Sequence, residues 1–185
     1  MLQLIFDNLF LGIILLIMVG ILYLPVYFLL RKKQIPILKQ MSWVGLVGIV
    51  FIILFATILF SIVGGGVSFN PPRRFLNLVP FRWIFETYTM GSSRMMSQVI
   101  SNMLMFVPLG FLLPVVFKNF RSVFKTTILV FLFSFSIEVI QYFIGRSADI
   151  DDLILNTLGG IIGYGIFILF NKCLQRKNWW YNLLN

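Results

Sequence analysis

Histidine is absent from the 185 residues, cysteine occurs once, and only 11% of the chain is charged. Without histidine there can be no histidine-ligated metal, no phosphohistidine intermediate and no Ser-His relay. The lone Cys173 excludes an internal disulfide. It follows the last apolar run, beside Lys172 and Arg176, and reads as an idle thiol; palmitoylation at such a position is only weakly signalled. A soluble domain keeps about a quarter of its residues charged. Acids are scarcest, six against 15 Lys and Arg, and three of the six, Asp149, Asp151 and Asp152, fall within RSADIDDLILNTLGG (146–160).

What is abundant is apolar: 59% of the residues are hydrophobic. Short chains leave much of their surface exposed, so this much apolar surface cannot be hidden from water by folding alone. The expected solvent is lipid. The net charge of +9 comes from short basic clusters between apolar runs. That is the pattern of topology signals and headgroup contacts, not of a nucleic-acid face. A lipid bilayer is therefore the expected partner, nucleic acid is not, and no cofactor or metal is expected.

A membrane-spanning helix needs about 20 mostly apolar residues. Five runs qualify, at about 9–30, 43–63, 97–117, 126–145 and 153–170. They predict one all-α polytopic membrane bundle over 1–185. The first run is too long for a signal-peptide core and has no basic residue before it, so it reads as an uncleaved span. Pro108 and Pro114 lie inside the third run, where membrane helices tolerate them. The loop 64–96 is glycine- and proline-broken but rich in aromatics, among them Phe75, Phe81, Trp83, Phe85 and Tyr88. It reads as a re-entrant or interfacial segment. All seven lysines fall in 31–40, 118–125 and the C-terminal tail. Five spans place these on one side, which the positive-inside rule makes cytoplasmic. The N-terminus is then outside, the C-terminus inside, and the loops 64–96 and 146–152 face out. Those outer loops carry only arginines: Arg73, Arg74, Arg82, Arg94 and Arg146. Arginine grips carboxylate or phosphate in bidentate geometry, so these are candidate contacts for either.

Polar residues within the spans converge in depth. At 1.5 Å rise per residue, Asn102, Glu138 and Asn156 lie roughly 8, 10 and 5 Å below the outer edge on three different helices. Ser134, Glu138, Gln141 and Tyr142 share one helix face, as do Asp152, Asn156, Gly159, Gly160 and Gly163. Polar groups in a membrane usually face a cavity or a partner, and glycines let helices approach closely. The expectation is one outward-opening polar site built from Asn102, Glu138, Gln141, Arg146, Asp149, Asp152 and Asn156. The plainer alternative is that Asn102 and Asn156 merely bridge helices and that one aspartate caps a helix. Glu138 in lipid needs a reason of its own, either pairing with arginine or holding a proton. The Asp cluster could hold arginine, metal or ligand, and arginine is the first choice.

The stretches NLVPF (77–81), NMLMFVPLGFLLP (102–114) and EVIQYFIGRSADIDDLILNTLGGIIGY (138–164) resemble the VanZ-like membrane proteins. The family's N-x-x-x-F-x-P-L-G falls on Asn102, Phe106, Pro108, Leu109 and Gly110, and its E-x-x-Q on Glu138 and Gln141. Its G-R-x-x-D-x-x-D-x-x-x-N-T-x-G falls on Gly145, Arg146, Asp149, Asp152, Asn156, Thr157 and Gly159. The VanZ-like region spans about 77–170. The first two spans match only in being hydrophobic, and Ala148 stands where many members carry an aromatic. The resemblance implies a bacterial plasma-membrane protein linked to low-level resistance to teicoplanin, a glycopeptide with a fatty acyl tail. It supplies no mechanism. The first reading is non-enzymatic: the outer site binds or excludes an amphiphile such as a lipoglycopeptide or a cell-wall lipid precursor. The alternative is a membrane enzyme acting on a lipid-linked phosphate or sugar. A transporter or flippase fits less well, because the inner halves of the spans lack polar groups.

Overall fold

The computed structural model describes residues 23–24, 27–28, 35–59, 62, 76–82, 84 and 92–185, the side chains of 92–95, 97 and 98 excepted. Helix α1 (Ile37–Leu54) runs directly into a π-helical turn (Phe55–Leu59). After it come strand β1 (Leu76–Asn77), helix α2 (Ser92–Val116), helix α3 (Val123–Phe143), strand β2 (Ala148–Asp149), helix α4 (Ile150–Leu174) and the short helix α5 (Asn178–Leu184). Four of the helical segments are long and apolar enough to cross a membrane: Ile37–Leu59, Val99–Val116, Val123–Phe143 and Ile150–Leu174. The expected first span, 9–30, lies outside the described residues apart from Tyr23, Leu24, Tyr27 and Phe28, which are helical. The molecule is an all-α polytopic membrane bundle.

Only 22–39% of each apolar span is buried by its neighbours. Phe124, Phe131, Leu132, Phe135, Ile161, Ile162 and Leu169 are among the large apolar side chains left exposed. A water-soluble fold could not leave so many large apolar side chains on its surface, whereas hydrocarbon solvates them. The helices begin before the apolar runs that announce them. α4 begins at Ile150 rather than near 153 because Asp149 caps it there, and α2 continues unbroken through Pro108 and Pro114.

α2 and α4 form the closest pair, because glycines line the seam between them. A Cβ on Gly110 would fall on the Gly160 carbonyl oxygen, one on Gly159 on the Met103 carbonyl oxygen, and one on Gly163 on that of Val107. Gly160 faces α3 as well, where a Cβ would come within 2.7 Å of Val130 Cγ1. With no hydrophobic drive between helices in lipid, such backbone-to-backbone approach supplies the van der Waals contact that holds them. A second core, Val115, Tyr164, Phe167, Trp180 and Leu183, closes the other end of the bundle. There α5 docks: Trp180 Nε1 donates to Asn171 Oδ1 at 2.9 Å, and Arg121 Nη2 donates to the Leu184 carbonyl at 2.5 Å.

Gly110→Ala should push α2 from α4 and destabilise the bundle by about 1–3 kcal/mol, the usual cost of overpacking. Gly165→Ala, with nothing within 4 Å of the added Cβ, should leave stability unchanged. Thermal unfolding of the two purified variants in detergent checks the contrast.

Candidate functional site: a polar cavity at one end of the bundle

The three clustered aspartates do three different things. Asp149 is the N-cap of α4; its backbone is extended and its carboxylate accepts the Asp151 N–H at 2.9 Å. The cap satisfies one of the helix's free N–H groups and places negative charge at the positive end of the helix dipole. Asn77 Nδ2 donates to both Asp149 oxygens, each at 3.0 Å. β1 and β2 pair in parallel beside this contact, Leu76 with Ala148 and Asn77 with Asp149. The same asparagine accepts the Val79 N–H through Oδ1 at 3.2 Å, turning the chain in the manner of an Asx turn. Asp151, buried, accepts the Phe81 N–H at 2.5 Å. Phe81 stands at φ 62°, a left-handed conformation costly for an aromatic residue, which the bond to Asp151 helps to hold. Asp152 points the other way and accepts Asn102 Nδ2 at 2.5 Å, joining α4 to α2.

Glu138 reaches this junction from α3. Its Oε2 accepts the Asp149 N–H at 2.8 Å, so the entry to α4 is held by Asn77 on one side and Glu138 on the other. One helical turn on, Gln141 Nε2 donates to the Thr57 carbonyl at 3.1 Å, and Arg146 Nη1 donates to the same oxygen at 3.0 Å. Thr57 lies in the π-helical turn, a geometry that recurs at functional sites. Asn156 Nδ2 donates to Ser134 Oγ at 2.9 Å and links α4 to α3.

Between these contacts lies a cavity of about 270 Å³. Asn102, Glu138, Gln141, Arg146, Asp152 and Asn156 line it, together with Ala56, Thr57, Ser101 and Met105. Six of the seven expected site residues thus share one cavity. The seventh, Asp149, does not line it but fastens Glu138 through its backbone. Of the candidate outer-loop arginines, Arg82 is exposed just after the strap formed by residues 76–81. Arg73 and Arg74 lie outside the described residues, and of Arg94 only the backbone, within α2, is described. Among the described residues no group of three Cys, Asp or Glu side chains is arranged to hold a metal ion. Donors to the aspartates include Asn77, Asn102 and the Phe81 and Asp151 N–H groups.

Three contributors escape a reading of side chains along helices. Thr57 acts through its backbone carbonyl, which no side-chain pattern reveals. Ser101 precedes Asn102 and carries no signal of its own. Asn77 lies 72 residues from Asp149 in sequence; its only sign was its place at the head of NLVPF.

Asn77→Ala should remove the strap from Asp149, at a cost of about 1.5–3 kcal/mol for hydrogen bonds to a charged group. Hydrogen exchange should then quicken at Phe81 and at Asp149 to Asp151, while the glycine seam of α2 and α4 stays protected.

The VanZ/LLP1 family model matches residues 43–171, which hold the whole cavity lining. Protein VanZ of Enterococcus faecium is 36% identical over 135 residues, 72% of this chain and 78% of that protein. No solved structure matches. With four apolar spans, and a family match that omits only residues 37–42 of the first and 172–174 of the last, the chain is a multi-pass bacterial membrane protein and belongs to the VanZ/LLP1 family.

Proposed function

We propose that the cavity is an outer-leaflet site that binds the polar part of an amphiphile, a lipoglycopeptide or a cell-wall lipid, and through it contributes to low-level teicoplanin resistance. The observation that carries this reading is where the cavity lies along the helices. Thr57 is late in its helical segment, Asn102 early in α2, Glu138 and Gln141 late in α3, and Asp152 and Asn156 early in α4. Lys39, Lys118, Lys125 and Lys172 occupy the opposite ends. Five spans with the N-terminus outside and the C-terminus inside put the lysines in the cytoplasm and the cavity at the outer face. A polar chamber there, walled by lipid-facing helices, receives a headgroup while the acyl tail remains in the bilayer.

The cavity also gathers Glu138, Asp152 and Arg146, groups that an enzyme acting on a lipid-linked phosphate or sugar would need for proton transfer and phosphate binding. A chemically altered lipid, found only when Glu138 and Asp152 are intact, would move the reading to catalysis.

Cells expressing the protein should bind labelled teicoplanin differently from cells lacking it, and should tolerate more of it. The difference should vanish in the Glu138→Ala, Asp152→Ala double variant at equal membrane abundance. It should also vanish for teicoplanin stripped of its acyl tail. Loss of contacts to two charged groups predicts a change in binding of about tenfold or more. Equal binding by all these cells would sink the proposal.

A further inference from the structure

The lining of the cavity is unbalanced in hydrogen-bonding terms. Asn156 is only 3% exposed, and its Oδ1 has no hydrogen-bond partner among the described residues. Its amide nitrogen is already committed to Ser134. A buried acceptor left without a donor costs about 1–3 kcal/mol, so a water or a ligand donor is required there. The donors nearby are largely engaged within the protein: Asn102 Nδ2 on Asp152, and Gln141 Nε2 and Arg146 Nη1 on the Thr57 carbonyl. Acceptor capacity remains on Asn156 Oδ1 and on the carboxylates of Glu138 and Asp152.

Charge points the same way. The ionisable groups lining the cavity are two carboxylates, Glu138 and Asp152, and one guanidinium, Arg146, a formal sum of −1 when both carboxylates are ionised. A net charge between low-dielectric helix walls favours a ligand of opposite charge. A phosphate would add negative charge and bring no donor. A hydroxyl would bring a donor but leave the charge unbalanced. A primary ammonium supplies three donors and one positive charge.

We propose that the cavity selects an amphiphile by a primary ammonium on its headgroup, seated between Asn156 Oδ1, Glu138 and Asp152. This rests on the reading of the cavity as an outer-leaflet headgroup site and names the group that it recognises. The volume of about 270 Å³ corresponds to roughly nine waters at about 30 Å³ each, room for an ammonium with the short polar linker or sugar that carries it.

The test uses the purified full chain in phosphatidylcholine nanodiscs. Capture of phosphatidylethanolamine is compared with that of its N-acetyl derivative, which keeps the lipid but loses the charge and all but one N–H donor. Phosphatidylglycerol and free ethanolamine form the other two arms. The amino lipid should bind, N-acetylation should weaken capture by about tenfold or more, and phosphatidylglycerol should bind no better than the acetylated lipid. Competition by millimolar ethanolamine would identify the free amine as sufficient; failure to compete would show that the lipid anchor is also needed, and both agree with ammonium recognition. Asp152→Asn, which keeps the side-chain shape, should bring the ratio of amino to acetylated lipid towards one. Equal or preferred capture of the acetylated lipid or of phosphatidylglycerol overturns ammonium selection and leaves the headgroup site standing. Capture of no lipid in any arm overturns both.

Discussion

The entry to α4 at Asp149 is the point on which the rest of the site depends. One residue there receives Asn77 on its carboxylate, gives its own N–H to Glu138, and caps the helix through the Asp151 N–H. A helix start is already rich in unpaired N–H groups and positive potential. Concentrating half of the chain's carboxylates at this place satisfies those groups without burying acid among hydrocarbon side chains. It also sets the register of α4, and so decides that Asp152 and Asn156 face α2 and α3 and not lipid.

The glycine seam complements this arrangement. Gly110, Gly159 and Gly163 bring α2 and α4 into backbone contact over the middle of the bundle, and Gly160 admits Val130 of α3. At the Asp149 end the side chains are large and polar: Asn102, Glu138, Asp152 and Asn156 hold the helices apart while bridging them. Close packing in the middle and polar spacing at the end leave the cavity where it is. The bridges would serve an ordinary structural role equally well, as Asn102 on Asp152 and Asn156 on Ser134 show. The unfilled Asn156 Oδ1 is what distinguishes a chamber from a joint.

Much of this was legible in sequence, for physical reasons. Lipid as solvent follows from composition. Convergence of Asn102, Glu138 and Asn156 follows from helical rise alone, since all three lie on regular helices of known direction. Helix-face spacing likewise placed Ser134 with Glu138 and the glycines with Asn156. Contacts made outside helical periodicity were not legible. The pairing of Asn77 with Asp149 is a long-range loop contact, and Thr57 contributes a backbone oxygen. α5 is only seven residues long, too short to show a periodic face, and docks through Trp180 and a backbone carbonyl. Among the donors to the aspartates are two asparagines, Asn77 in the loop and Asn102 on α2, which the first choice of arginine did not name.

The central claim is that the cavity opens to the outside of the cell, opposite the lysine-bearing ends. Cysteine labelling with a membrane-impermeant maleimide tests it most directly. Ser101 is exposed at the cavity, and Cys173 is exposed at the far end of α4. In intact cells, Ser101→Cys placed in a Cys173→Ser background should be labelled, while the native chain should react at Cys173 only after permeabilisation. Labelling of Cys173 in intact cells, with Ser101→Cys silent until the membrane is opened, would contradict the outward cavity and everything proposed for its ligand.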